Sequence, residues 1–341
     1  MKVFKIISIT LFLCVFMLIT ADWIFLAKEQ YNAEPVSTWL IEQRRGMLSD
    51  PLQITDTNIS PVKINEKQKT ITVSGFPYKY INLIDKNNLS YKVITDEIPV
   101  DKKKKPVIFM GCSFIYGLPL FGNETLPYKV AEYTKRKVLN LGYPMEGIQH
   151  VLYKIQKAED FNENIKDAEY VIYLFMTDHL RRMYCNYFSI GEKMRYLQYK
   201  KTKNGLKLIN PDKVSFLDYI KTTYTAKKFN NLMFSLKSDN EKFDLLKLYL
   251  EECKKSIESK NPNCKMVVIV YNSSKSDIHN IFPFRTDRWK ELEDEGFIVI
   301  NFDTEEYDYL AEKEYVAEDH AHPSAKAWAT LAPIIAEKLN L

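Results

Sequence analysis

From Pro106 onward the apolar residues fall into short unbroken runs rich in β-branched and aromatic side chains. They are VIFM (Val107–Met110), KVLNLG (Lys137–Gly142), YVIYLF (Tyr170–Phe175), MVVIVY (Met266–Tyr271) and FIVINF (Phe297–Phe302). Between them apolar positions recur at helical spacing, as in TLPYKVAEYTKR (Thr125–Arg136) and GIQHVLYKIQKAEDF (Gly147–Phe161). A strand that is apolar throughout has no solvent side. Such runs alternating with helices therefore predict a parallel sheet covered on both faces. The expected fold over residues 106–341 is a doubly wound, flavodoxin-like α/β domain with five parallel strands and helices on both faces.

The alternation breaks between Arg181 and Asn263. The stretch YLQYKKTKNGLKLIN reads as a hairpin turning at Asn204-Gly205. This marks an insertion after the third strand, at about 183–240. The helical pattern DNEKFDLLKLYLEECKKSIESK that follows is expected to pack on the sheet. Residues 30–105 are polar, mixed and weakly periodic. They read as an extracytoplasmic stem and an irregular lead-in with short strands such as KTITVSG (Lys69–Gly75).

The N-terminus has a different pattern, MKVFKIISITLFLCVFMLITADWIFLAKEQ. Lys2 and Lys5 precede an uncharged run from Ile6 to Ala21 that Trp23–Ala27 extends. A bilayer span needs about 20 apolar residues. Residues 1–29 are expected to form a signal anchor, with a cleaved secretory signal and a buried helix as alternatives. No clear A-x-A cleavage site follows, and LFLC lacks the small residue that precedes a lipidated cysteine. The lysines lie before the run, which places the rest of the chain outside the cytoplasm, periplasmic or extracellular.

Composition narrows the function classes. The net charge of +4 over 341 residues is small, and the only dense basic cluster is DKKKKP (Asp101–Pro106). A nucleic-acid partner is not expected, because it calls for a concentrated basic face. Cys14, Cys112, Cys185, Cys253 and Cys264 form no CxxC pair and no zinc-ligand spacing with histidine. No metal and no cofactor are expected, and a metal-assisted hydrolase finds no adequate ligand set. Cys253 and Cys264 are candidates for a disulfide in an oxidising compartment.

Ligands in open α/β sheets bind outside the carboxyl ends of the strands. Those ends carry Gly111-Cys112-Ser113, Gly142-Tyr143-Pro144, Thr177-Asp178-His179 and Asn272-Ser273-Ser274. After the fifth strand comes EDHAHPSAKAW (Glu318–Trp328), a helix start with Pro323 near its first turn. A small nucleophile, a glycine turn, a polar pair and an Asp-x-x-His thus converge on one edge.

On these blocks the chain resembles the SGNH (GDSL-type) hydrolases. GCSFIYG resembles the first block, LNLGYPMEGIQH the second, LFMTDHLRR stands at the third, and DHAHP fits the last. The similarity spans about Pro106 to Leu341 apart from the insertion. It implies Ser113 as nucleophile, His322 as general base and Asp319 as the group that orients the imidazole. It also implies an oxyanion hole from the amides of Ser113 and Gly142, with Asp178 at the position of the family's asparagine.

The chain departs from the family pattern twice. Cys112 replaces the aspartate before the serine. Asp178 replaces the asparagine, and an ionised carboxylate has no proton to donate. Either Asp178 is protonated, or Thr177 or His179 donates, or backbone amides act alone. Asp178-His179 with Arg181-Arg182 also reads as a surface salt-bridge cluster. His320 is the rival to His322, while His150 and His279 read as solvated. The 22 tyrosines suit core packing or a carbohydrate cleft.

The resemblance and the expected location together imply a membrane-anchored serine esterase or O-acyltransferase. The expected partners are an acylated, mainly acetylated, envelope or secreted glycan or another ester, the membrane itself, and a subunit of an envelope complex. The rival reading is a catalytically degenerate domain that binds glycan or assists assembly. A lipid esterase or thioesterase is the further alternative.

Overall fold

The computed structural model describes residues 2–32, 60–65, 70–75, 78–84, 90–93, 99–118, 120, 122–142, 146–157, 161, 164–184, 198–203, 205–209, 232–271, 286–317 and 322–341. The chain divides into two compact units. One comprises Met1–Thr55, Tyr184–Gln198 and Asn210–Leu236, and the other Asp56–Met183, Tyr199–Ile209 and Lys237–Leu341. In the first, α1 (Lys2–Asn32) is one continuous helix. Its large apolar side chains from Ile6 to Ile19 are exposed, Phe12 by 70%. Among the described residues no helix is long and apolar enough to cross a membrane.

The second unit is built on a nine-stranded sheet. Its strands are β1 (Ser60–Asn65), β2 (Thr70–Gly75), β3 (Tyr78–Ile84), β4 (Ser90–Val93), β5 (Val107–Met110), β6 (Val138–Asn140), β7 (Tyr170–Phe175), β10 (Lys265–Val270) and β11 (Ile298–Asn301). The hairpin strands β8 (Gln198–Thr202) and β9 (Gly205–Ile209) form a separate pair. The helices are α2 (Ser113–Tyr116), α3 (Leu126–Thr134), α4 (Ile148–Lys157), α5 (Asp178–Tyr184), α6 (Asp239–Glu258), α7 (Trp289–Asp294) and α8 (Ala325–Leu339).

The five apolar runs are the five parallel strands, in the spatial order β6-β5-β7-β10-β11. This is the flavodoxin-like order, whose switch point lies beside the first strand, β5. β5 is flanked by β6 and β7 in register, Phe109 opposite both Asn140 and Ile172. The carboxyl ends of all three strands therefore lie together.

Both faces are covered, as unbroken apolar strands require. Val107, Phe109, Ile172, Leu174, Val267 and Ile269 enter one core with α3 and α8, which pack on each other. The alternate positions Ile108, Met110, Val171, Tyr173 and Val268 are equally buried. On the second face α6 packs on α4 and on β10. Local signals fix the helix starts. Thr125 caps α3, Ser324 caps α8 just after Pro323, and Ser238 with Glu241 forms a capping box on α6.

The lead-in's expected short strand KTITVSG is β2, and residues 60–93 belong to the domain's own sheet. β1–β4 form an antiparallel meander that joins the same sheet, with Lys92 and Val93 pairing antiparallel to Asn140 and Leu139 of β6. Alternating segments such as TITVSG suit antiparallel strands, and weak periodicity over 30–105 concealed their pairing. One expectation needs correction: Cys253 and Cys264 are free thiols. Both are buried, Cys253 inside α6 and Cys264 before β10. Burial pushes the Cys264 thiol up to about 12. Of the inserted region, the β8–β9 hairpin is described, while Cys185 and most of 183–240 lie outside the described residues.

Candidate active site

β5 stops at Met110, and Gly111 takes φ +153°, where a Cβ would meet Ile115 Cγ1 at 3.0 Å. Only glycine turns the chain this way without strain. Cys112 remains extended and Ser113 opens α2, which closes through Tyr116 N–H to Cys112 O at 3.0 Å. Gly117 ends it in the left-handed region. The serine is thus delivered by a tight strand-to-helix turn at the carboxyl end of the central strand, and it is 9% exposed.

His322 arrives from the far end of the chain. Its carbonyl accepts from Ala317 N–H at 2.7 Å, and Val316 bridges Pro323, so two backbone strands hold it beside the cap of α8. His322 Nε2 lies 2.8 Å from Ser113 Oγ. The Phe114 ring meets the imidazole edge-on at 5.2 Å, then Tyr271 at 5.7 Å, and Tyr271 reaches Trp328 of α8 at 5.4 Å. This aromatic chain braces histidine against the serine helix. A neutral imidazole nitrogen at hydrogen-bond distance from a hydroxyl has general-base geometry. Asp319 and His320 lie outside the described residues, as does His279.

The residues expected at the oxyanion hole have the following partners. Gly142 N–H donates to Asn140 Oδ1 at 3.0 Å. Gly142 is needed for close approach, because a Cβ there would lie 2.7 Å from Tyr116 N and from Ile115 Cγ2. Asn140, fully buried, also donates from Nδ2 to Ile115 O at 2.8 Å. It ties the serine helix to the second-block turn.

Asp178 opens α5 and accepts from Arg181 Nε on Oδ1 at 2.5 Å and from Arg182 Nε on Oδ2 at 2.7 Å. Burial works to raise its carboxyl, but Arg182 and then Arg181 outweigh burial and hold it at about 2. Asp178 therefore sits as an acceptor between two guanidinium groups that favour its ionised form. The salt-bridge reading of this cluster is right about its pairs and wrong about their exposure, since the Arg182 side chain is only 9% exposed. His179 is fully buried, with Nδ1 2.6 Å from Tyr173 Oη.

His150 is partly buried rather than fully solvated. Its Nδ1 accepts from Gly147 N–H at 3.1 Å, and burial, with Lys154 and Arg182 nearby, lowers its pKa to about 3. Glu146 and Lys154 form a buried ion pair at 2.7 Å. Burial raises the Glu146 carboxyl to about 7 against the pull of Lys154. Sequence reasoning passed over Asn140, Glu146 and Lys154. One signal was available: Lys154 lies on the apolar face of α4 beside Val151 and Ile155.

Cys112, where the family carries aspartate, is fully buried with Sγ 3.4 Å from Met176 Sδ, and burial raises its thiol. It packs as a small apolar group under the serine. Among the described residues no three of His, Cys, Asp or Glu are grouped as metal ligands.

No family model matches the chain, and no curated protein matches it in sequence. Solved structures do. A lipolytic protein of the G-D-S-L family from Desulfitobacterium hafniense is 11% identical, covering 69% of this chain and 99% of its own, with a TM-score of 0.41. A lipase from a goat rumen metagenome is 13% identical over 70% of this chain and 96% of its own, TM-score 0.39. A carbohydrate esterase family 2 enzyme with a carbohydrate-binding domain, from Corynascus thermopiles (Myceliophthora fergusii), is 12% identical over 80% of this chain and 73% of its own, TM-score 0.36. The solved structures this chain is similar to are thus GDSL-type lipolytic proteins and carbohydrate esterases.

Proposed function

We propose that the chain is a serine ester hydrolase or O-acyltransferase of the SGNH type. The observation that carries this reading is the 2.8 Å approach of His322 Nε2 to Ser113 Oγ at the switch point of the sheet. Ser113 Oγ attacks the ester carbonyl, and His322 takes the serine proton and passes it to the departing alkoxide. Asp319 orients the imidazole. The acyl-enzyme is then released to water in hydrolysis, or to a second hydroxyl in transfer. The amide of Ser113 serves the oxyanion. The Gly142 amide, held by Asn140 Oδ1, is the expected second donor, while the ion-paired Asp178 carboxylate only accepts.

The substrate we favour is an acyl ester, acetyl foremost, on an envelope or secreted glycan. This choice follows from an extracytoplasmic location, which is itself part of the proposal. What supports it is the exposed apolar surface of α1 between Ile6 and Ile19, which needs an apolar medium to cover it. Turnover of acetyl esters by the full chain in detergent tests the reading. Turnover absent from Ser113→Ala at unchanged melting temperature supports it, and equal turnover in both proteins refutes it.

The ion-paired Asp178 favours a second reading, a non-catalytic domain that binds glycan or assembles an envelope complex. Glycan binding that survives Ser113→Ala without turnover distinguishes it.

A further inference from the structure

The β6–α4 turn is fastened by buried charge. Lys154 Nζ donates to Leu141 O and to Glu146 Oε2, both at 2.7 Å, and so clamps the turn across its two ends. Arg182 reaches the turn from α5. It donates from Nε to Asp178 Oδ2 at 2.7 Å and from Nη1 to Glu146 O at 2.6 Å. Its own carbonyl accepts from Gln149 Nε2 of α4 at 2.9 Å. Arg181 shares the Asp178 carboxylate at 2.5 Å. The side chains of Arg182 and Asp178 are 9% and 11% exposed.

We propose that Asp178 is a positioning residue: as counter-ion of Arg182 it holds that guanidinium on the Glu146 carbonyl and thereby fixes the second-block turn against the start of α5. The inference rests on the reading of Ser113 as nucleophile. It explains why a carboxylate stands where the resembled family has an amide. A buried guanidinium needs a charged partner, and a neutral side chain at 178 leaves it uncompensated. Asp178 has exchanged hydrogen-bond donation for anchorage. Restoring asparagine is therefore expected to impair the site.

The test compares wild type, Asp178→Asn, Arg182→Met and the double variant, as full chains in detergent. Two quantities are read below the melting temperature: the rate of fluorophosphonate labelling at Ser113, and hydrogen exchange of the peptide covering 141–147. Glu169→Gln, which breaks the remote Arg136–Glu169 pair, controls for simple loss of stability. Each single variant is expected to slow labelling by about 10- to 100-fold, as small misplacements do, and to raise exchange in the turn. The double variant is expected to be no slower than the worse single one. Glu169→Gln is expected to melt earlier without either change. Asp178→Asn labelling as fast as wild type, or unchanged exchange over 141–147, overturns the proposal. If wild type is never labelled, the nucleophile reading fails, and the exchange data alone still decide whether Asp178 holds the turn.

Discussion

Asn140 Nδ2 donates to the Ile115 carbonyl at 2.8 Å while its Oδ1 accepts from Gly142 N–H at 3.0 Å. One buried amide therefore satisfies the serine helix and the neighbouring turn at once. Asn140→Ala leaves a buried carbonyl and a buried amide unpaired, a cost of about 2–4 kcal/mol. A lower denaturant midpoint with an unchanged slope is the expected result. A midpoint equal to wild type contradicts the assignment.

Gly142 has no room for a side chain. The Cβ of Gly142→Ala meets Tyr116 N and Ile115 Cγ2 at 2.7 Å. Moving α2 away costs about 1–3 kcal/mol, as overpacking does, and carries Ser113 with it. Both the melting temperature and the labelling rate at Ser113 are expected to fall. Loss of rate alone, without loss of stability, would show that the turn tolerates the methyl group.

Glu146 makes stability depend on pH near neutrality. Its carboxyl is raised by burial to about 7, above its unfolded value, so the folded state binds the extra proton. The stability linked to that proton is fully present below the unfolded value and is lost as pH rises through about 7. Glu146→Gln lacks this dependence. Melting temperatures between pH 5.5 and 8.5 are expected to diverge, wild type gaining on the variant as pH falls. Parallel curves refute the assignment.

The five strands and the order of the blocks were legible because apolar runs bounded by turn residues carry their own signal. Ser113 was legible as a residue type at a strand end, and His322 from the Asp-x-x-His block just before the last helix. The hydrogen bonds of Gly142 and Asp178 were not, because each depends on how a nearby side chain turns. Nothing in LNLG says that Asn140 turns back onto its own second neighbour. Nothing in TDHLRR says that Arg182 reaches Glu146, 36 residues earlier. The antiparallel extension was hidden for a related reason: pairing of β4 with β6 spans the whole of β5 and α3.

Cys253 and Cys264 stand as thiols. Alkylation of the denatured protein without reductant is expected to modify both, as read by mass spectrometry. A disulfide would block them, and its reduction would then cost about 2–5 kcal/mol of stability.

The central claim is that His322 activates Ser113. The most direct measurement is fluorophosphonate labelling of the full chain in detergent, with the modified residue located by mass spectrometry. The account predicts an adduct on Ser113 and a rate that falls by about 10³-fold or more in His322→Ala. A folded chain that carries no adduct on Ser113, or one labelled equally fast in His322→Ala, contradicts it.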